Sequence, residues 1–213
     1  MVDSARVLLL REALSGSGWV ERTVSFASSL RRVRDPGGLL LVGTPDDEPW
    51  HLAAHLDDES RISGITQLQP TLVRWSPPPD APAHLSVTMA RLEAARRGEM
   101  VFVVAPDAPP ESLLERVADA RRIGATVLSI DDGDDDLAGL AHDRLVVPST
   151  PERRLVVARE VPDDLRDIGV GDVDIDTVSH LVSVAAGENV SRRSMRDRIA
   201  RMLDRVSGPP PRP

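Results

Sequence analysis

The sequence predicts an α/β protein built on a doubly wound parallel sheet, and the region around residue 100 is the main reason. Residues 100–104 and 125–130 are short apolar runs with the length and β-branched content of buried strands. Pro110 suits the first turn of a helix between them, which carries an apolar stripe and ends at Gly124. Two buried strands joined by a helix form the right-handed crossover unit of parallel sheets.

More strands and helices are predicted before this unit. Residues 3–34 have helical spacing that is interrupted at residues 16–18, and residues 39–42 have the pattern of a short buried strand. The pattern then predicts a helix, a strand and a second helix, at residues 50–57, 71–75 and 85–97. Residues 77–82 are rich in proline, so they can form neither a helix nor a central strand.

After the crossover unit, the sequence predicts short elements and then longer helices. Residues 131–136 form an acidic turn that places carboxylates at the start of a short helix at residues 137–142, where the helix dipole favours them. Residues 151–176 are partly irregular. The remaining elements are a strand and two helices, at residues 145–147, 178–187 and 191–206. The last helix has an arginine-rich face opposite an apolar stripe that contains Met195 and Met202.

The length and pattern favour a single domain over residues 1–207, with a disordered tail at residues 208–213. We expect this domain to comprise N-terminal helices, a sheet core and C-terminal helices, at residues 3–34, 38–150 and 151–207.

Composition narrows the function. The chain has 213 residues, no cysteine, a formal net charge of -8 and only 2% aromatic residues. These values exclude disulfides and thiolate chemistry, and they argue against a nucleic-acid binder, which needs a basic field. No apolar run is long enough to span a bilayer and the N-terminus does not read as a signal peptide, so we expect a cytoplasmic protein without membrane contact.

Three stretches resemble the SIS (sugar isomerase) domain family, and phosphoheptose isomerases in particular. They are GGLLLVGTPDDEPWHLAAHL, the strand–loop–helix that begins at Met100, and ARRIGATVLSIDDGDDDLAGLAHDRLVVPST, which occupy residues 37–56, 100–123 and 120–150. The resemblance implies a flavodoxin-like, three-layer α/β/α fold with a five-stranded parallel sheet. It also implies a sugar or sugar-derivative ligand and assembly into a homodimer or homotetramer.

The two loops that bind sugar phosphates in this family are altered here. The first, residues 44–49, has lost its glycines and gained three acidic residues, and the second, residues 105–109, has lost its hydroxyl-rich run to prolines and Asp107. Proline has no N–H to donate, and carboxylates repel a phosphate dianion. The candidate ligand-binding residues are those that border these loops: Thr44, His51, His55, Asp107 and Ser112.

The catalytic pattern of the family is altered too. Phosphoheptose isomerases resemble this chain at residues 51–56, where His55 stands in place of their acid/base glutamate. Histidine can also move protons near neutral pH, so His55 is the one catalytic candidate if the protein is an enzyme. The later glutamine and histidine of the family have no match in residues 151–160, and His180 cannot be aligned with them.

Other functional interpretations have a plainer alternative. His51 and His55 share a helix face and could hold a metal, but a third ligand is needed, for which Glu48, His142 and His180 are candidates. We therefore expect no metal and no cofactor.

For several charged groups, a structural or solvated role is favoured over a functional one. Asp107 and Glu111 could act as general bases, but capping of a helix start is favoured. The acidic turn at residues 131–136 lacks the ligand spacing of a calcium loop and is more simply a solvated turn. The arginine face of the last helix could contact an acidic partner or another subunit, but a solvated face is favoured.

These observations predict a non-catalytic SIS-like protein that acts as a binding or regulatory subunit. The alternative is an enzyme or sensor, either a surviving phosphosugar isomerase or a protein that uses the same crevice for a different ligand.

Overall fold

A computed structural model describes residues 18–148 and 174–187. The predictions for the helix before Gly18, for residues 151–173, for the helix at residues 191–206 and for the tail lie outside the described residues.

Five parallel strands form a single sheet, which confirms the predicted fold class. The strands are Leu39–Gly43 (β1), Pro70–Val73 (β2), Met100–Ala105 (β3), Thr126–Asp131 (β4) and Asp143–Val146 (β5). Their order is β2-β1-β3-β4-β5, and each neighbouring pair is parallel. The winding direction reverses between β1 and β3, so a crevice is expected at the carboxyl ends of these two strands.

Helices cover both faces of the sheet. The described helices are Gly18–Leu30 (α1), Trp50–Ser63 (α2), Met89–Glu93 (α3), Glu111–Ile123 (α4), Asp135–Leu140 (α5) and Ile175–Gly187 (α6). One apolar core joins α1, α2 and α6 to the sheet, and a second core joins α3, α4 and α5 to the opposite face. The central strands β1 and β3 are buried on both faces, which is why their sequences are continuously apolar rather than alternating.

The predicted helix over residues 85–97 is wrong. A 3₁₀ turn at Ala83–Leu85 and the five-residue α3 take its place. The intervening backbone is extended, because the amide of Arg74 donates to the carbonyl of Val87 at 2.8 Å and Arg74 forms a parallel bridge with Thr88. The apolar spacing still marks residues that pack inward, since Met89 and Leu92 are both buried.

The helix predicted at residues 50–57 is longer than expected, because α2 continues to Ser63. Gly64 ends it in the left-handed conformation, with φ of 74°, which a glycine adopts without strain. The polar residues of its last two turns, which obscured the helical pattern, form ion pairs along its surface, Arg61 with Asp57 and with Asp58.

The acidic turn at residues 131–136 is not simply solvated. Asp131 is the last residue of β4 and is fully buried, and it accepts hydrogen bonds from Ser129, Arg144 and the amide of Gly133. Asp134 caps α5 by accepting from the amide of Leu137 at 2.8 Å. Acidic residues of this run therefore stabilise the turn between β4 and α5 through internal hydrogen bonds.

None of the helices in the described part of the chain combines the length and apolar character that crossing a bilayer requires.

Candidate functional site

The candidate site is the crevice expected at the carboxyl ends of β1 and β3, where the topology reverses. Its mouth is bordered by the loop after β1, the loop after β3 and the start of α6. Asp47, Asp107 and Asp176 come from these three segments, and each of the last two acts electrostatically on Asp47. Residues far apart in the sequence thus lie near enough to influence one another electrostatically at one edge of the sheet.

The loop after β1 is folded back over the strand end. A side chain at Gly43 would overlap the carbonyl oxygen of Asp47 and would lie 2.6 Å from the ring of Pro49. Thr44 is buried, and its hydroxyl accepts a hydrogen bond from the amide of Asp47 at 3.2 Å. The predicted ligand-binding hydroxyl of Thr44 is thus buried and already accepts one hydrogen bond from within the loop.

Glu48 fastens this loop to the end of β2. Its carboxylate accepts from the guanidinium Nε of Arg74 at 2.8 Å and from the amide of Trp75 at 3.0 Å. The Trp75 indole in turn donates to the carbonyl of Gly43 at 2.9 Å, and the Arg74 guanidinium lies 4.2 Å from the ring centre of Trp50.

Sequence reasoning missed the role of Arg74 and Trp75, because no local pattern connects residue 48 with residues 74 and 75. Each carboxylate oxygen of Glu48, a candidate third metal ligand, accepts one of these hydrogen bonds.

The loop after β3 offers few donors. Pro106, Pro109 and Pro110 have no N–H groups, and Asp107 is exposed at its tip. Ser112 lies half-buried in the first turn of α4, where its carbonyl accepts from Arg116 at 2.6 Å. The structure places Asp107 at the mouth of the crevice.

Two imidazoles lie between α2 and α6. The Nε2 atom of His55 is 3.2 Å from the Nδ1 atom of His180, and the rings meet edge to face with centres 4.4 Å apart. Burial, reinforced by the neighbouring His55, lowers the pKa of His180 to about 4. Burial also lowers the pKa of His55, with Asp58 opposing and His51 reinforcing the shift. Both rings are therefore neutral at pH 7.

His51 lies one turn before His55 and is exposed. Its positive form would interact favourably with Asp47. His142, another candidate third ligand, lies elsewhere: its Nδ1 atom accepts from the amide of Val127 at 2.9 Å, next to the amino ends of β4 and β5. Within residues 18–148 and 174–187 no group of three or more side chains is arranged to hold a metal ion.

Carboxylates dominate the mouth of the crevice. Burial raises the pKa of Asp47 above its usual value of 3.8, and Asp176 and Asp107 raise it further, against the opposing effect of His51. At pH 7 the mouth is thus electronegative, while the imidazole pair beside it is uncharged. This arrangement favours neutral or cationic groups at the mouth and disfavours a phosphate dianion.

No protein-family model and no curated protein sequence matches the chain, but solved structures do. A candidate phosphosugar isomerase from Silicibacter pomeroyi DSS-3 is 14% identical, with a TM-score of 0.50 over 93% of this chain and 53% of that chain. A candidate sugar binding protein from Salmonella typhimurium LT2 is 13% identical, with a TM-score of 0.43 over 87% of this chain and 53% of that chain. This chain thus spans about half the length of these two neighbours. The first match establishes that the chain has a sugar-isomerase-like fold.

Proposed function

We propose that this chain is a non-catalytic binding or regulatory protein of the sugar-isomerase-like fold, and a degenerate relative of phosphoheptose isomerases. It binds a sugar or sugar derivative that carries no phosphate. We further propose that it acts in the cytoplasm as a homodimer or homotetramer, as the resemblance implies.

The observation that supports this proposal most directly is the state of the loop after β1. In a sugar-phosphate site, the backbone amides and hydroxyls of such a loop point at the ligand. Here the Thr44 hydroxyl and the Asp47 amide bond to each other, and Glu48 is anchored to Arg74 and Trp75. The three aspartates at the mouth add repulsion to this loss of donors.

A thermal-shift panel tests the proposal. The purified protein is heated with sugar phosphates, the same sugars without phosphate, polyamines and divalent metals. A ligand at 100 times its dissociation constant adds about 2.7 kcal/mol of stability, which raises the melting temperature of a domain of this size by roughly 5–10 °C. We expect a shift with a sugar that lacks phosphate and none with its phosphate ester. A shift that requires the phosphate would contradict the proposal.

The His55–His180 pair favours a second candidate function. Neutral imidazoles 3.2 Å apart next to a crevice can pass a proton between a ligand and each other. An enzyme that acts on a neutral or cationic polyol, or a phosphosugar isomerase with altered loops, would use His55 as its acid/base group.

The two candidates differ in the effect of His55→Ala. In an enzyme, this variant should abolish the turnover of ketose or ketose-phosphate substrates while circular dichroism and ligand-induced melting shifts remain. In a binding protein, the parent shows no turnover to lose. Measurable turnover by the parent protein would rule out the non-catalytic proposal.

A further inference from the structure

The His55–His180 contact joins two helices that are distant in sequence. α6 packs against α2 and α1 on one face of the sheet. A second contact lies further along the same two helices, where Gly187 approaches the carboxylate of Glu59 so closely that a side chain at Gly187 would overlap it. The two contacts follow in the same order along both helices, so α2 and α6 run parallel and the imidazole pair belongs to their interface.

The rest of this interface is largely apolar, so it stabilises a charge poorly. The residues of α6 that share an apolar core with α1 and the sheet are Val178, Val182, Ala185 and Ala186. The α1 residues of that core, Phe26, Ala27 and Leu30, are also apolar. Both imidazoles are half-buried, so a charge on either has limited access to water.

The chemistry of the pair sets its proton count. In the neutral pair one facing nitrogen donates an N–H and the other accepts it, and one added proton binds the remaining outward-facing ring nitrogen and leaves this hydrogen bond intact. A second added proton would leave two imidazolium rings 3.2 Å apart, with both nitrogens donors and no acceptor between them. Separation of α2 from α6 would relieve this repulsion.

Charged groups on both helices surround the pair. On α2, Asp58 favours a charge on His55 and His51 opposes it. Glu59 lies further along α2 against the end of α6, and Asp176 lies at the start of α6 next to Asp47. Within the described ranges, Asp58 is the carboxylate that stabilises a charge on His55, and its effect is smaller than that of burial.

We propose that the His55–His180 pair makes the docking of α6 on α2 depend on pH, so that α6 is docked near pH 7 and released when the pair takes up a second proton. Because Asp176 of α6 borders the mouth of the crevice, release would dismantle this side of it. The release of α6 itself is independent of the proposed function, whereas its consequence for ligand binding rests on it.

The direction with pH follows from the protons bound in each state. Released α6 would return His180 to its usual pKa of 6.5, while docking lowers that pKa to about 4. The released state therefore binds more protons than the docked state between these pH values. The free energy that favours docking is fully present above pH 6.5 and decreases as the pH falls toward 4. Each pH step of one within this window shifts the equilibrium by up to about tenfold.

A cysteine reporter can detect release, because the chain has no cysteine of its own. Ser183 of α6 is fully buried, so the thiol of Ser183→Cys reacts with a labelling reagent only when α6 leaves. Ala120→Cys, on α4 in the opposite layer and 1% exposed, reports unfolding of the whole domain. Rates are divided by those of the same variant in denaturant at the same pH, which removes the titration of the thiol.

Between pH 7 and pH 5 we expect the normalised reaction of Ser183→Cys to rise at least about tenfold and that of Ala120→Cys to change less than about twofold. Adding His180→Gln should flatten the pH response of the Ser183→Cys reporter, and His55→Gln serves if the first variant does not fold. His84→Gln, which removes an exposed histidine of the 3₁₀ turn, is the matched control and should leave the response intact.

Three results would overturn the proposal. The first is a Ser183→Cys thiol that stays unreactive at pH 5. The second is an equal rise in the normalised labelling rates of Ser183→Cys and Ala120→Cys, and the third is an unchanged pH response after loss of either imidazole. None of these measurements uses a ligand, so failure here is distinct from failure of the proposed function.

Discussion

Asp131 is the buried carboxylate around which the loop after β4 is built. Its two oxygens accept from the Ser129 hydroxyl at 2.7 Å, the Gly133 amide at 2.9 Å and the Arg144 guanidinium at 2.5 Å. These bonds compensate for the cost of removing the charge from water. Asp131 thus serves the fold rather than the crevice.

We expect Asp131→Ala to lower the free energy of unfolding by about 3–5 kcal/mol, because it leaves the partly buried Arg144 cation without its partner. Asp135→Ala, at an exposed position in the first turn of the short α5, should change it by no more than about 1 kcal/mol. Urea denaturation at pH 7 measures both. Similar values for the two variants would show that the Asp131 bonds contribute little.

Asp47 gives the opposite prediction, because its environment opposes its charge. Burial and the neighbouring Asp176 and Asp107 raise its pKa, so ionisation is less favourable in the folded state than in the unfolded state. The folded state therefore carries a penalty at pH 7 that disappears below the usual pKa of 3.8.

Asp47→Asn should accordingly raise the melting temperature at pH 7 by about 1–2 °C and have no such effect near pH 3. Asp46→Asn, which removes a carboxylate from the neighbouring position of the same exposed segment, provides the control. Melting curves by circular dichroism at both pH values are sufficient. A loss of stability in Asp47→Asn at pH 7 would mean that the aspartates at the mouth do not repel one another.

Among the structural elements, the loop after β1 depends on a glycine for close packing. A side chain at Gly43 would meet the Asp47 carbonyl and the Pro49 ring, so the folded-back loop and a larger residue are incompatible. The bond from Trp75 to the Gly43 carbonyl fixes the same point from the other side.

We predict that Gly43→Ala lowers the free energy of unfolding by about 1–3 kcal/mol, since the loop must shift to accept the methyl group. Gly139→Ala is its matched control, because a side chain at Gly139 in α5 meets nothing within 4 Å. That substitution should stabilise the protein by up to about 1 kcal/mol through helix propensity. Equal effects would indicate that the loop after β1 is not tightly packed.

The centre of the sheet was predictable because β1 and β3 are buried on both faces and have continuously apolar sequences. Continuous apolar sequence in β1 and β3 and a glycine at the end of α4 are local signals, and they located these elements to within a residue or two. The helix predicted at residues 85–97 failed because a tertiary contact, from Arg74 to the backbone of Val87, overrides its helical spacing.

The candidate site was only partly predictable. The sequence placed His55 and Asp107 at the crevice, and His180 was a candidate without a position. Only the packing of α6 against α2 reveals that His180 faces His55. The bonds from Arg74 and Trp75 to Glu48 connect residues 26 and 27 positions apart and leave no periodic signal.

In the molecule as a whole, the fold and the crevice are determined by different sets of residues. The sheet order and the two apolar cores, one on each face of the sheet, depend on buried apolar residues. The crevice depends on a few loop residues, and these carry carboxylates and prolines where phosphate binding would need amides and hydroxyls. A chain can therefore keep this architecture while changing its ligand.

Calorimetric titration of the wild-type protein at pH 7, with a ketose phosphate and separately with the same ketose without phosphate, tests directly whether the crevice has lost phosphate binding. We predict no saturable heat with the phosphate ester at concentrations up to about 1 mM, the range in which binding free energies fall to about 4 kcal/mol. Saturable micromolar binding that requires the phosphate would contradict this prediction, and would mean that the loop after β1 opens to accept phosphate.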